Sequence, residues 1–216
     1  PMEGVSFTRS ELLFDASGAL AGTLRNIEIF YPPIAVTIDS ISILGEDLLL
    51  DDPIITNDPG ARTVIVRRAG ATSDAPSTFS VTSISVSGDT VFDTSFEYRP
   101  IPVSDTYIDR VVESIAAGPQ AELGARRIER ALRSALPPFH PPVTQVRFGE
   151  DGAIWLRRES DRETEAQYWI LESDGVVRGT LNIPSSVRIM WSGTDEFVGM
   201  ELDDLDVPWL IRYRFQ

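Results

Sequence analysis

Apolar and polar residues alternate in short segments along most of the chain, and this pattern predicts β-strands. The segments are rich in Val, Ile, Thr, Phe and Trp, and Gly-Asp, Asp-Gly and Ser-Gly pairs separate them. Such pairs form tight turns because glycine, and to a lesser extent aspartate, tolerates a positive φ. The clearest predicted hairpins join residues 12–14 to 20–24, 81–86 to 91–96, and 168–171 to 176–181. The chain is therefore predicted to be all-β.

A strand-turn-strand segment occurs twice in the chain. Residues 13–24 (LFDASGALAGTL) align without gaps with residues 170–181 (ILESDGVVRGTL), and the turn glycine and the later Gly-Thr-Leu are in register. A weaker copy surrounds Gly88. Repeated hairpins of this kind are typical of β-propellers, in which each blade is a four-stranded antiparallel sheet of about 40–50 residues.

The repeat predicts a succession of blades along the chain. The last predicted blade has only three strands, and a closed propeller commonly completes its last blade with a strand from the other terminus. The predicted blades make up about half of a ring, so we expect an upstream part of the same chain to close it. The predicted units are residues 5–27 as the outer half of one blade, residues 34–98 and 143–183 as complete blades, and residues 187–216 as a three-stranded last blade.

A helical hairpin is predicted at about residues 104–136, between two blades. Ser104 is a candidate N-cap, and apolar residues follow it at helical spacing until Gly118-Pro119. A second apolar stripe runs through residues 128–135, and Pro137-Pro138 ends it. Because the insertion connects an outer strand to the next inner strand, we expect it to cap the face of the propeller on which such connections lie.

The order of several short motifs resembles that of uncharacterised six-bladed β-propeller proteins of the TolB-like and NHL-like group. The resemblance is best from about residue 79 to the end. It implies a six-bladed fold and a periplasmic or extracellular setting, but no reaction and no catalytic residues. The motifs are YRPIPV (98–103), the helical insert, PPFHPPV (137–143), DGAIWLRRE (151–159) and ELDDLDVP (201–208).

Composition restricts the classes of partner. The net charge of −14 disfavours binding to nucleic acid or to anionic lipid, because the phosphates would repel the protein. The chain has no cysteine, so disulfides and cysteine-ligated metals are excluded. No apolar run of about 18 residues is present, so no membrane span is expected. No cofactor is predicted.

The candidate binding residues are Phe30, Tyr31, Phe139 and His140. His140 lies in Pro-Pro-Phe-His-Pro-Pro, directly before a predicted inner strand, and Phe30 and Tyr31 lie in an equivalent connection. These connections surround the mouth of a propeller channel, where aromatic groups would meet a ligand. Alternatively, the prolines merely stiffen a connection that holds His140, and the aromatic rings pack between blades.

Other clusters are assigned structural roles. Asp203, Asp204 and Asp206 lack the spacing of a known calcium loop and are interpreted as a solvated turn, so no metal site is predicted. Arg126, Arg130 and Arg133 share a helix face and are interpreted as solvent-exposed, with Glu122–Arg126 and Glu129–Arg133 as ion pairs. The last set, assigned to the core between blades, is Trp155, Tyr168, Trp169 and Trp191.

The sequence thus favours a non-enzymatic binding or scaffold module for an unknown protein or small molecule. One alternative is a propeller hydrolase of the metal-dependent lactonase type, which would need carboxylates near the starts of several inner strands. Another is a propeller domain that regulates an enzyme in the same chain. A nucleophile elbow, a P-loop and a dinucleotide fingerprint are absent from the sequence, and no catalytic residue is predicted.

Overall fold

The structure, a computed structural model, is mostly antiparallel β-sheet, with two helices in the part of the chain that it describes. The all-β prediction is confirmed at this level. The structure describes residues 5–14, 20–31, 36–38, 41–43, 54–58, 62–68, 71–118, 123–160, 162, 164–203 and 205–215. Of these residues, side chains are described only from residue 62 onward, and not at residue 135.

Five antiparallel sheets follow one another along the described residues. The first two are hairpins, formed by β1 (Val5–Phe14) with β2 (Leu20–Tyr31) and by β3 (Val36–Ile38) with β4 (Ile41–Ile43). The third, named sheet I, has four strands in sequential order: β5 (Ile54–Asp58), β6 (Arg62–Arg68), β7 (Ser77–Ser85) and β8 (Thr90–Tyr98).

Two more sheets, each with its strands in sequential order, lie further along the chain. Sheet II has four strands: β9 (Gln145–Phe148), β10 (Ile154–Glu159), β11 (Glu165–Leu171) and β12 (Val177–Pro184). Sheet III has three: β13 (Arg188–Ser192), β14 (Glu196–Leu202) and β15 (Pro208–Arg214). These strands match the segments predicted within residues 143–183 and 187–216, and the three hairpins predicted from turn residues are confirmed.

Four hairpin turns share one hydrogen-bond pattern. In each five-residue turn the first amide donates to the fifth carbonyl, and the fourth amide donates to the first carbonyl. The fourth residue has positive φ, which explains why Gly-containing pairs separate the strands. The turns are residues 85–89, 149–153, 172–176 and 203–207, with Gly88 (φ 89°), Gly152 (77°), Gly175 (86°) and Asp206 (58°) in fourth place.

Sheets I, II and III stack face to face. Ile154 and Leu156 of β10 pack on sheet I, while Trp155 packs on sheet III, because successive side chains of a strand point to opposite faces. Sheet II is therefore buried on both sides. The buried residues between sheets I and II include Val64, Val66, Phe79, Val81, Val146 and Leu171; those between sheets II and III include Ala166, Tyr168, Ile170, Ile189 and Phe197.

Arginine side chains join neighbouring sheets through backbone carbonyls. Arg62 of sheet I donates to the carbonyl oxygens of Gly152 at 2.5 Å and Ser173 at 3.1 Å, both in turns of sheet II. Arg147 of sheet II donates in the same way to Ile189 and Met190 of sheet III. An arginine that donates to backbone carbonyl oxygens of the next sheet therefore occurs at both interfaces.

Two helices come after sheet I and before sheet II in the chain: α1 (Asp105–Ala116) and α2 (Ala125–Ala135). The hydroxyl oxygen of Ser104 accepts from the Tyr107 amide at 3.0 Å, so the predicted N-cap is confirmed. The two helices share a small core that includes Ile108, Val112 and Ile128. Neither helix has the length and apolar character needed to cross a membrane.

Two details differ from the sequence interpretation. Within residues 34–98, the four-stranded sheet occupies only residues 54–98, because β3 and β4 pair with each other. Trp191 was assigned to the core, and this is wrong: it is 37% exposed, and its indole Nε1 donates to the Glu150 carboxylate at 2.9 Å. By contrast, Trp155 and Tyr168 are buried, and Trp169 is half-buried against the core.

Candidate functional site

Two short segments, residues 101–103 and 138–140, pair with each other and connect the helical hairpin to the sheets; we call this pairing the neck. The Val103 amide donates to the Pro138 carbonyl at 3.0 Å, and the His140 amide donates to the Ile101 carbonyl at 2.8 Å. Pro102 and Phe139 form an antiparallel bridge between these two bonds. The chain thus enters and leaves the hairpin at one place, and His140 lies at the base of the neck.

The imidazole of His140 is enclosed between α1 and sheet II. Its side chain is 7% exposed, and the ring of Tyr107 lies edge-on to it with 4.8 Å between centroids. The Nδ1 atom is buried and has no hydrogen-bond partner among the described residues. A buried polar atom without a partner costs free energy comparable to a lost hydrogen bond, so its retention calls for an explanation.

Burial lowers the pKa of His140, because a buried imidazolium loses its hydration. The carboxylate of Glu159 opposes this effect and raises the pKa, whereas the Arg110 guanidinium lowers it further. The net direction is downward, so the imidazole is neutral at neutral pH. A neutral imidazole has one donor and one acceptor nitrogen.

A cavity of about 180 Å³ opens between the neck, α1 and the end of β10. This volume has room for several water molecules or for a small molecule. Its lining residues are mainly polar or charged, and an apolar edge comes from the neck. They are Ile101, Pro102, Ser104, Thr106, Tyr107, Arg110, His140, Glu159 and Ser160.

Arg110 and Glu159 bring opposite charges to this cavity. Arg110 is exposed, and its guanidinium lies over the Tyr107 ring at 5.4 Å. Glu159 is half-buried at the end of β10. Among the residues that the structure describes, no ion pair joins either charge to a partner. The cavity therefore presents both charges to whatever enters it.

Arg158 supports the site from inside the protein. It is 7% exposed, and its Nε donates to the Pro142 carbonyl at 3.0 Å. Its guanidinium lies 4.5 Å from the centroid of Trp169 and 5.7 Å from that of Tyr98. Burial lowers the pKa of Arg158 to about 10, which still leaves it charged at neutral pH. The stacked guanidinium thus holds the segment that precedes β9 in place.

The sequence identified only part of this site. His140 lines the cavity, but Phe139 is half-buried in the neck and is not among the lining residues. Phe30 and Tyr31 end strand β2, and their side chains lie outside the described part of the structure. Tyr107, Arg110 and Glu159 were missed, because nothing in the sequence indicates that α1 and the end of β10 meet at His140.

The acidic cluster near the C-terminal end organises a turn. One oxygen of the Asp203 carboxylate accepts from the amides of Leu205 and Val207, and the other accepts from the Trp209 indole, all at 2.9 Å. These bonds, led by that from Trp209, lower the pKa of Asp203. In the described ranges, no group of three or more His, Asp or Glu side chains is placed to hold a metal ion.

Comparison with known proteins gives no relative. No family model matches the chain, and no curated protein or solved structure is similar to it at a significant level.

Proposed function

We propose that this chain is a non-enzymatic binding module that takes a small molecule in the cavity beside His140. The observation that carries the proposal is a cavity with room for a ligand, lined by His140 and by the oppositely charged Arg110 and Glu159. Binding sites combine an enclosed shape with a few polar groups, and this cavity has both.

We also propose that the stacked sheets form part of a β-propeller of the TolB-like or NHL-like kind. The support is the succession of antiparallel sheets that pack face to face, with similar turns and similar arginine contacts at two interfaces. In such a ring, the cavity would lie where one blade connects to the next. A periplasmic or extracellular setting belongs to the same proposal and follows from the resemblance.

The binding proposal is tested by NMR of the imidazole. His140 is the only histidine in the chain, so a sample labelled at histidine, and purified with a tag that contains none, gives signals from this ring alone. A library of small water-soluble molecules of mixed charge is screened against it. We expect at least one compound to shift the imidazole signals in a saturable way.

A matched pair of variants separates binding in the cavity from binding elsewhere. Thr106 lines the cavity, so Thr106→Trp should block it and abolish the shift. Asp109 is exposed on the same helix outside the cavity, so Asp109→Trp should leave the shift unchanged. A saturable shift that persists in Thr106→Trp would place the ligand elsewhere, and a library with no active compound would overturn the proposal.

A further inference from the structure

The charges around the cavity indicate which class of molecule it takes. Arg110 lies one turn into α1, and Glu159 lies at the end of β10, so they approach His140 from different elements. Each acts electrostatically on the imidazole: Glu159 raises the pKa of His140 and Arg110 lowers it. They do not pair with each other within the described structure, although they line one cavity.

The wall formed by α1 suits an anionic group. Ser104, Thr106 and Tyr107 line the cavity at the N-terminal end of this twelve-residue helix, where the helix dipole is positive. Arg110 adds a full positive charge. Asp105 in the same turn pairs with Arg133 of α2 at 2.6 Å, and Glu129 pairs with the same arginine at 2.9 Å. A carboxylate on a ligand would therefore find a positive partner in Arg110, beside the positive end of the α1 dipole.

The wall formed by β10 suits a cationic group. Glu159 contributes a carboxylate to the cavity, whereas the neighbouring Arg158 is directed into the protein, towards Trp169 and the Pro142 carbonyl. An ammonium group on a ligand would find a partner at Glu159, which forms no ion pair with any residue in the described ranges. His140, neutral at neutral pH because burial lowers its pKa, adds no charge to the cavity.

We infer that the cavity takes a small zwitterion of the amino-acid type, with its carboxylate towards Arg110 and the N-terminus of α1, and its ammonium group towards Glu159. This inference rests on the proposed binding function. It follows from the charges of Arg110 and Glu159, which form no ion pair within the described residues. A ligand with a single charge would leave one of these two residues without a partner. The edge formed by Ile101 and Pro102 is apolar and suits contact with an apolar side chain of the ligand.

The test uses the imidazole signals of His140 and the standard amino acids as probes. Each amino acid is titrated into the labelled full chain. For the tightest binder, two analogues are then compared: the same molecule without its ammonium group, and the same molecule without its carboxylate. We expect at least one amino acid to bind saturably and each analogue to bind about tenfold more weakly, since each loses a charge-assisted contact.

Two charge variants test the orientation of the ligand. Arg110→Gln should weaken the amino acid about tenfold while affecting the carboxylate-free analogue little, and Glu159→Gln should weaken it similarly while sparing the ammonium-free analogue. Arg126→Gln and Glu113→Gln change exposed side chains outside the cavity and should leave binding unchanged. Thermal melting of every variant verifies that the fold is retained.

The outcomes separate this inference from the binding proposal. If the ammonium-free analogue binds as tightly as the amino acid and Glu159→Gln has no effect, the zwitterion is wrong, whereas the cavity remains a binding site. If no amino acid shifts the signals but a library compound does so and Thr106→Trp blocks it, only the zwitterion is overturned. If nothing shifts the signals, both ideas are overturned.

Discussion

Gly175 lies so close to Phe92 that a Cβ atom on the glycine would be 2.6 Å from Cδ2 of the ring. The contact joins the turn between β11 and β12 of sheet II to strand β8 of sheet I. Gly175 is therefore needed twice: once for its positive φ of 86°, and once for the close approach of the two sheets.

Replacing Gly175 with alanine should destabilise the protein more than the same change at Gly88. Gly88 has a similar φ of 89°, but nothing lies within 4 Å of its added Cβ, so Gly88→Ala measures the cost of the backbone conformation, about 1–2 kcal/mol. Gly175→Ala should cost about 1–3 kcal/mol more, because the Phe92 ring must move. Urea unfolding of both variants gives the difference, and equal losses would show that the sheets are not in close contact there.

Asp206→Gly should stabilise the protein. Asp206 is the one non-glycine residue in the fourth position of the four similar turns, and its φ of 58° is strained for a side chain with a Cβ atom. Relief of this strain should contribute about 0.5–1 kcal/mol. Asp206→Ala, which keeps the Cβ atom, is the control and should give no gain. Thermal melting distinguishes them, and a loss of stability in Asp206→Gly would contradict the prediction.

The indole of Trp209 should report the titration of Asp203. Hydrogen bonds, first from the Trp209 indole and then from two backbone amides, lower the pKa of Asp203 below its ordinary value of 3.8. In the folded protein these bonds weaken when Asp203 is protonated, as pH falls through its folded-state pKa. Their contribution to stability is fully present above the unfolded pKa and is lost over the same fall in pH. The Nε1–H signal, assigned with Trp209→Phe, should therefore shift with a midpoint below 3.8. Asp203→Asn should abolish the shift, and a midpoint above 3.8 would refute the role of these bonds.

His140 should make the protein less stable at mildly acid pH. Because burial lowers its pKa in the folded state, the unfolded chain binds the proton more tightly, and stability falls as pH drops below the ordinary value of 6.5. The slope cannot exceed about 1.36 kcal/mol per pH unit for one group. Stability of the parent and of His140→Asn, measured by denaturant unfolding between about pH 5 and 8, isolates this contribution. A constant difference between the two curves would contradict the lowered pKa.

Local structure was largely predictable from the sequence. The strands of sheets II and III, the turn glycines and the N-cap at Ser104 depend on neighbouring residues: on alternation with period two, on positive φ, and on a hydroxyl beside a free amide. Trp155 is buried and Trp191 is exposed although both lie in strands. Burial of a strand residue depends on whether another sheet packs on the face to which its side chain points, and the local pattern does not show this.

The sequence by itself determined the strands, their turns, the helical hairpin and His140 as a residue in a constrained connection. Only the tertiary structure decided that Arg110 of α1 and Glu159 of β10 line one cavity with that histidine. These residues are distant in the chain, and their approach depends on the neck at Pro102 and Phe139, which sets the hairpin against the end of sheet II. A pairing between distant segments leaves no periodic pattern in either one, so it becomes visible only when the chain is folded.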